Sequence, residues 1–171
     1  AHLTHYQVLS FHVVCKNGSS FPVVHVLLND KSFSSYNKVL REIQQYPSRK
    51  GLGILFGRKD LTITTDYESA LIEALRIFNA NRHGCFFHFC QSFWRFVHTH
   101  GLAKKYNTEK RFGDSVRSLM ALALIKQKDI RNSFYKMKSQ INDDDLLTVY
   151  EYFKRTWIDG VGVELICQCD E

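Results

Sequence analysis

Leu61-Thr62-Ile63-Thr64-Thr65-Asp66-Tyr67-Glu68-Ser69-Ala70 is the stretch that decides the fold. Leu61 to Thr65 is a short β-rich run. Thr65-Asp66-Tyr67-Glu68 then sets a threonine and a glutamate three residues apart, the spacing of a capping box, in which each side chain satisfies a free backbone N–H at a helix start. Ala70, Leu71, Ala74, Leu75 and Phe78 follow at helical intervals. Asp66 therefore lies where a strand hands over to a helix. A carboxylate there projects from the C-terminal rim of a sheet, where α/β proteins place ligand sites. The helix dipole alone also favours an acid at a helix start. Both readings stand at this point, and Glu68 reads as a cap.

Upstream, His5 to Cys15 and Phe21 to Leu28 alternate and are rich in β-branched and aromatic residues. Lys16-Asn17-Gly18-Ser19-Ser20 separates them, and Asn-Gly supplies the positive φ values of a tight hairpin turn. From Ser32 to Tyr46 the period changes. Phe33, Tyr36, Val39, Leu40, Ile43 and Tyr46 share one helical face, and Pro47 with the glycine-bearing stretch 48–60 is expected to end the helix in a loop. Downstream, Gly84 to His88 reads as a strand and Cys90 to His100 as a helix stopped by Gly101. From Asn107 on the pattern is helical: Phe112 to Lys126, Asp129 to Ile141, and Asp143 to Trp157. The last opens on three aspartates, which suit the positive end of a helix. Strands alternating with helices predict a mixed α/β sheet with helical cover, antiparallel at its opening hairpin.

Composition bounds the rest. The 171 residues suit one domain, and 44% hydrophobic with 23% charged residues is ordinary for a globular chain, which excludes bulk disorder. No apolar run approaches the roughly 18 residues of a membrane helix. Ala1 runs straight into strand-like sequence, as expected of a piece excised from a longer protein. Charge is unevenly spread: residues 1–60 carry eight Lys/Arg against three Asp/Glu, residues 61–140 thirteen against six, and residues 141–171 two against eight. A basic body points to a polyanionic partner; solubility alone is the competing explanation. The five cysteines are not spaced as a disulfide framework, so reduced thiols are expected.

Two further features could carry chemistry. Cys85-Phe86-Phe87-His88 places a thiol and an imidazole three apart, half of a tetrahedral zinc site. Cys167 and Cys169 could complete it only if the C-terminus folds back; otherwise these are a buried thiol and a hydrogen-bonded histidine. Lys104 to Lys138 holds ten Lys/Arg against three acids with aromatics interleaved. Lys104, Lys105, Lys110, Arg111 and Arg117 are its candidate nucleic-acid contacts, of the kind that grip phosphates. Solvated helix faces are the alternative. No Gly-rich phosphate loop is present, and nucleophile triads find no support.

Together these pieces resemble the Mutator-like (MULE) transposase domain. The resemblance rests on Leu61 to Asp66 with Tyr67-Glu68-Ser69-Ala70, and on His83-Gly84-Cys85-Phe86-Phe87-His88-Phe89. Tyr6-Gln7-Val8-Leu9, Pro22 to Leu28 and Lys31 to Tyr36 are similar to its early strands and first helix, and Leu119 to Leu124, Tyr152-Phe153 and Thr156-Trp157 to its helical region. The resemblance implies an RNase H-like fold with its first strand missing and a helical insertion after the last strand: an incomplete core over 1–106, the insertion over 107–157 and a tail over 158–171. It implies DDE chemistry, in which three acids hold two Mg²⁺ for DNA cleavage and strand transfer. Asp66 matches the second acid, and Cys85 and His88 match the Cys-x-x-His motif near the site. The family's first Asp and last Glu have no counterpart here; Glu164, Asp170 and Glu171 stand in the wrong context. DNA as partner, homo-oligomerisation of the parent and a nuclear location are implied, with no membrane association. The fragment itself is expected to be inactive. A domesticated, non-catalytic module binding nucleic acid or protein is the alternative, and a zinc-stabilised structural domain a third.

Overall fold

The computed structural model describes residues 7–50 and 61–169. Backbone contacts group the chain into two compact units, residues 1–61 with 68–80 and residues 62–67 with 81–171. The boundaries expected at 106 and 157 both fall inside the second unit. Over the described residues the chain is mixed α/β and mostly helical, with one antiparallel and one parallel two-stranded sheet. No helix among the described residues is long and apolar enough to cross a membrane.

In the first unit, β1 (Gln7–Val14) and β2 (Ser20–Leu28) form the expected hairpin, from Gln7↔Leu28 to Val14↔Ser20, with a bulge between Phe11 and His12. Gly18 turns it at φ +82°, where a side chain would be strained. Helix α1 (Phe33–Arg49) buries Tyr36 and Leu40, two residues of the face read from the sequence. It runs on past Pro47, whose missing N–H removes one helical bond, the one that would reach Ile43 C=O, without ending the helix. Residues 51–60 of the expected loop, and His5, lie outside the described residues. Helix α2 (Ser69–Ala74) packs on α1 through Leu71 and Ala74.

The capping box does not form. Glu68 is the residue before α2, not its third, and its side chain caps nothing. Its carboxylate accepts a 2.7 Å hydrogen bond from the buried Tyr36 hydroxyl and pairs with Lys31 at 3.3 Å. Gln7 in turn donates to Tyr36 Oη at 2.6 Å. A buried phenol bonded to a carboxylate is worth more than an exposed cap, so the glutamate is used to tie hairpin, helix and α2 together.

In the second unit, β3 (Thr62–Thr65) and β4 (Asn81–Gly84) pair in parallel, Thr62↔Asn81 through Thr65↔Gly84. The strand expected at 84–88 is thus displaced towards the N-terminus. Helix α3 (Phe86–Thr99) begins four residues before Cys90, because Phe89, Phe93 and Val97 fall on one buried face whose period already includes Phe86. Helices α4 (Ala103–Thr108), α5 (Lys110–Ala121), α6 (Gln127–Lys138) and α7 (Asp144–Phe153) follow. A π-helical segment over Lys154–Val161 leads to α8 (Val163–Ile166), with Gly162 at φ +97° between them. The aspartate run behaves as expected: Asp143 caps α7 by accepting from Leu146 N–H at 2.9 Å.

The core of this unit is aromatic. Phe89 meets Phe93 and Trp157 edge-on at 5.1 and 4.8 Å, and Phe134 stacks on Phe153 at 5.3 Å. Val163, Ile166 and Cys167 are buried in the same core, so the segment 158–169 is integral to it.

Candidate site at the C-terminal rim of the parallel pair

Because β3 and β4 are parallel and end in register at Thr65↔Gly84, Asp66 and Cys85 leave the sheet side by side. Parallel neighbours lie about 4.8 Å apart, and the Cys85 N–H continues the ladder by donating to Thr65 C=O at 2.7 Å. The topology therefore brings together two residues 19 positions apart in sequence. Both are half-buried, and Cys85 also occupies the cap position of α3. His88 stands in the first turn of that helix, exposed, its ring edge-on to Phe87 at 5.5 Å.

What fixes this rim is a set of residues that the sequence places in the motifs without a role of their own. The Tyr67 ring, next to Asp66, packs edge-on against Trp157 at 4.7 Å and lies so close to Gly84 that a Cβ there would overlap it. The Tyr67 hydroxyl is buried without a hydrogen-bond partner among the described residues, and so is Trp157 Nε1. Burial pushes the Tyr67 phenol far above its ordinary value, with Cys85 and Cys90 adding to the effect. Burial likewise raises the Cys90 thiol, which keeps it protonated and unreactive at neutral pH. The one sequence signal was Gly84 itself, since a glycine inside a strand pattern marks close approach by another group.

The C-terminus folds back over β4 as a strap. His83 Nδ1 lies 2.9 Å from Cys167 C=O, Gln168 Nε2 donates to Gly84 C=O at 2.9 Å, and the Gln168 N–H donates to Ala123 C=O at 2.7 Å. The fold-back that a Cys85–His88–Cys167–Cys169 zinc site requires thus occurs. The thiols, however, turn elsewhere: Cys167 donates to Ile125 C=O at 3.3 Å and Cys169 to Leu124 C=O at 2.9 Å. Among the described residues no three His, Cys, Asp or Glu side chains gather as metal ligands, and all five cysteines are free. A pair of Mg²⁺ ions needs several hard oxygen ligands. The described residues do not supply that set around Asp66, so they do not fit the two-metal group by themselves.

The five candidate phosphate contacts separate into two kinds. Lys105 is bound internally, 2.8 Å from both Asp143 and Asp145 and over the Phe112 ring at 5.2 Å, tying α4 to the start of α7. The hydrogen bonds to Asp143 and then Asp145 hold its ammonium well above the usual lysine range, and the same bond together with the Leu146 N–H holds Asp143 low. Arg117 pairs with Asp114 at 2.9 Å and covers the Tyr106 ring at 5.3 Å. Lys104, Lys110 and Arg111 are exposed and form no ion pair with the described residues. Lys110 and Arg111 border an open groove of about 570 Å³ with Ser115, Ser118 and Gln140. On α6, Lys128, Asn132, Tyr135 and Lys136 form an exposed stripe at helical spacing, which the sequence analysis did not single out.

No family model, curated protein or solved structure matches this chain.

Proposed function

We propose that the chain is a transposase-derived domain of RNase H-like ancestry, built for DNA, whose metal-dependent cleavage and strand transfer belong to a parent with the full set of acids. The observation that carries this reading is the position of Asp66 beside Cys85 at the C-terminal rim of a parallel pair. Element order supports it: antiparallel hairpin, helix, strand, helix, strand, helix is the RNase H-like order without its leading strand. Asp66 matches the second acid of the DDE set, and Mg²⁺ would supply charge neutralisation on both sides of the phosphodiester once the set is complete. From these residues alone no cleavage step follows.

The second reading is a domesticated, non-catalytic module that keeps its basic surface for nucleic acid or protein, and the exposed Lys104, Lys110 and Arg111 support it. Both readings require the basic surface. Duplex DNA binding, followed by fluorescence anisotropy across salt concentration, tests them together. With Lys104, Lys110 and Arg111 on phosphates, log affinity should fall with log salt at a slope of about −3 or steeper. A flat response would remove DNA as the partner.

A further inference from the structure

We infer that the outer face of the β1–β2 hairpin carries a binding site for a divalent transition-metal ion of the zinc type, with His12 and His25 as ligands. The site is distinct from the rim that holds Asp66. Ser10 and His25 are direct cross-strand partners, and His12 lies two residues along β1 on the same face. Their rings converge on one atom: Ser10 Oγ is 3.1 Å from His12 Nε2 and 3.0 Å from His25 Nδ1. The two nitrogens are therefore no more than about 6 Å apart, and side-chain rotation alone can bring them to the roughly 3.3 Å that a tetrahedral ion with bonds of about 2.0–2.1 Å requires.

The second nitrogen of His12 is already oriented. His12 Nδ1 lies 3.4 Å from Ser20 Oγ. A proton held there, directed at the serine, leaves the Nε2 lone pair facing the shared point, which is how outer-shell partners fix a ligating imidazole. One Ser10 hydroxyl can donate to only one of the two rings, so the other must present its N–H. A metal replaces this arrangement with two lone pairs on one cation, and Ser10 becomes the acceptor for a metal-bound water. All four side chains are exposed, so the ion has free access.

The surroundings select the ion. Neither strand contains a carboxylate, lysine or arginine. Without oxygen anions the face offers nothing to Mg²⁺ or Ca²⁺, whereas imidazoles suit zinc, copper and nickel. Exposed Val8, Val14 and Leu27 flank the pair and lower the local polarity. Bound zinc would staple β1 to β2 beside the Phe11/His12 bulge, the one irregular point of the ladder.

The test is a Zn²⁺ titration of the whole chain, read by calorimetry and by long-range ¹H–¹⁵N spectra of the imidazoles. The expected result is that the His12 and His25 ring nitrogens shift together within the first equivalent. His12→Ala and His25→Ala should each weaken that equivalent at least ~10-fold. His12→Gln, which keeps a hydrogen-bonding side chain but no imidazole, should behave as His12→Ala, whereas His98→Ala/His100→Ala should leave binding unchanged. Unmoved His12 and His25 signals at one equivalent, or unaltered affinity in the single variants, would overturn the assignment.

Discussion

Gly84→Ala tests the packing that holds the Asp66–Cys85 rim. Gly84 is buried, and its φ is one that alanine can adopt, so the backbone raises no objection. The obstacle is steric, because the added methyl would occupy the space of the Tyr67 ring. That ring cannot simply swing away, since Trp157 stands edge-on to it at 4.7 Å and is itself buried. Overpacking of this kind costs about 1–3 kcal/mol. We expect the upper half of that range, because a displaced Tyr67 also gives up its aromatic pairing, worth ~0.5–1.5 kcal/mol. Tyr67→Ala removes the obstacle at its own cost. In that background Gly84→Ala should cost under ~0.5 kcal/mol, so the two changes should couple by about 2 kcal/mol. Urea unfolding followed by tryptophan fluorescence, with Trp157 as the buried reporter, gives all four corners of the cycle. Strict additivity would refute the claim that Tyr67 fills the space that Gly84 leaves.

Other predictions concern charge and polarity. Tyr67→Phe should leave stability unchanged or raise it by up to ~1 kcal/mol in the same urea assay, because the hydroxyl it removes is buried without a partner among the described residues. Asp143→Asn keeps a competent cap but loses the charge facing Lys105. Since the folded-state pKa of Asp143 lies below its unfolded value, the difference from wild type should be full at pH 7, begin to shrink only as pH falls below about 4, and disappear once pH is below the lowered folded-state pKa, measured by unfolding at each pH. Lys110→Ala and Arg111→Ala should each reduce the salt slope of DNA binding by ~0.9 with little change in unfolding free energy. Lys105→Ala should instead lower stability, because its ammonium bridges Asp143 and Asp145.

The hairpin, α1 and the α7 start were legible because each is set by local chemistry: Asn-Gly with alternating residues, an unbroken apolar face, an aspartate at a helix end. The rim was legible in part. The step from strand to helix at Asp66 could be read directly, whereas its adjacency to Cys85 depends on parallel pairing between segments far apart in sequence. Glu68 misled because a capping box and a tertiary ion pair need the same side chain, and only the position of Tyr36 and Lys31 decides between them. The start of α3 was misplaced because Gly84-Cys85-Phe86-Phe87 is as β-like in composition as it is helical in period, and burial of Phe89 and Phe93 settles the choice. Lys105 and Arg117 looked like Lys110 and Arg111 because charge counts do not record which cations already face an acid within the chain. Nothing local marked the strap, whose bonds to Gly84 and Ala123 run from the backbone and amide of a single glutamine.

The role proposed for Asp66 is that of a metal-binding carboxylate at the sheet rim. Its most direct test is Mg²⁺-dependent cleavage of DNA by any longer form that carries all three acids, comparing the native sequence with Asp66→Asn. Loss of cleavage with unfolding and DNA affinity unchanged is the predicted result. Cleavage retained by the Asp66→Asn protein would contradict it.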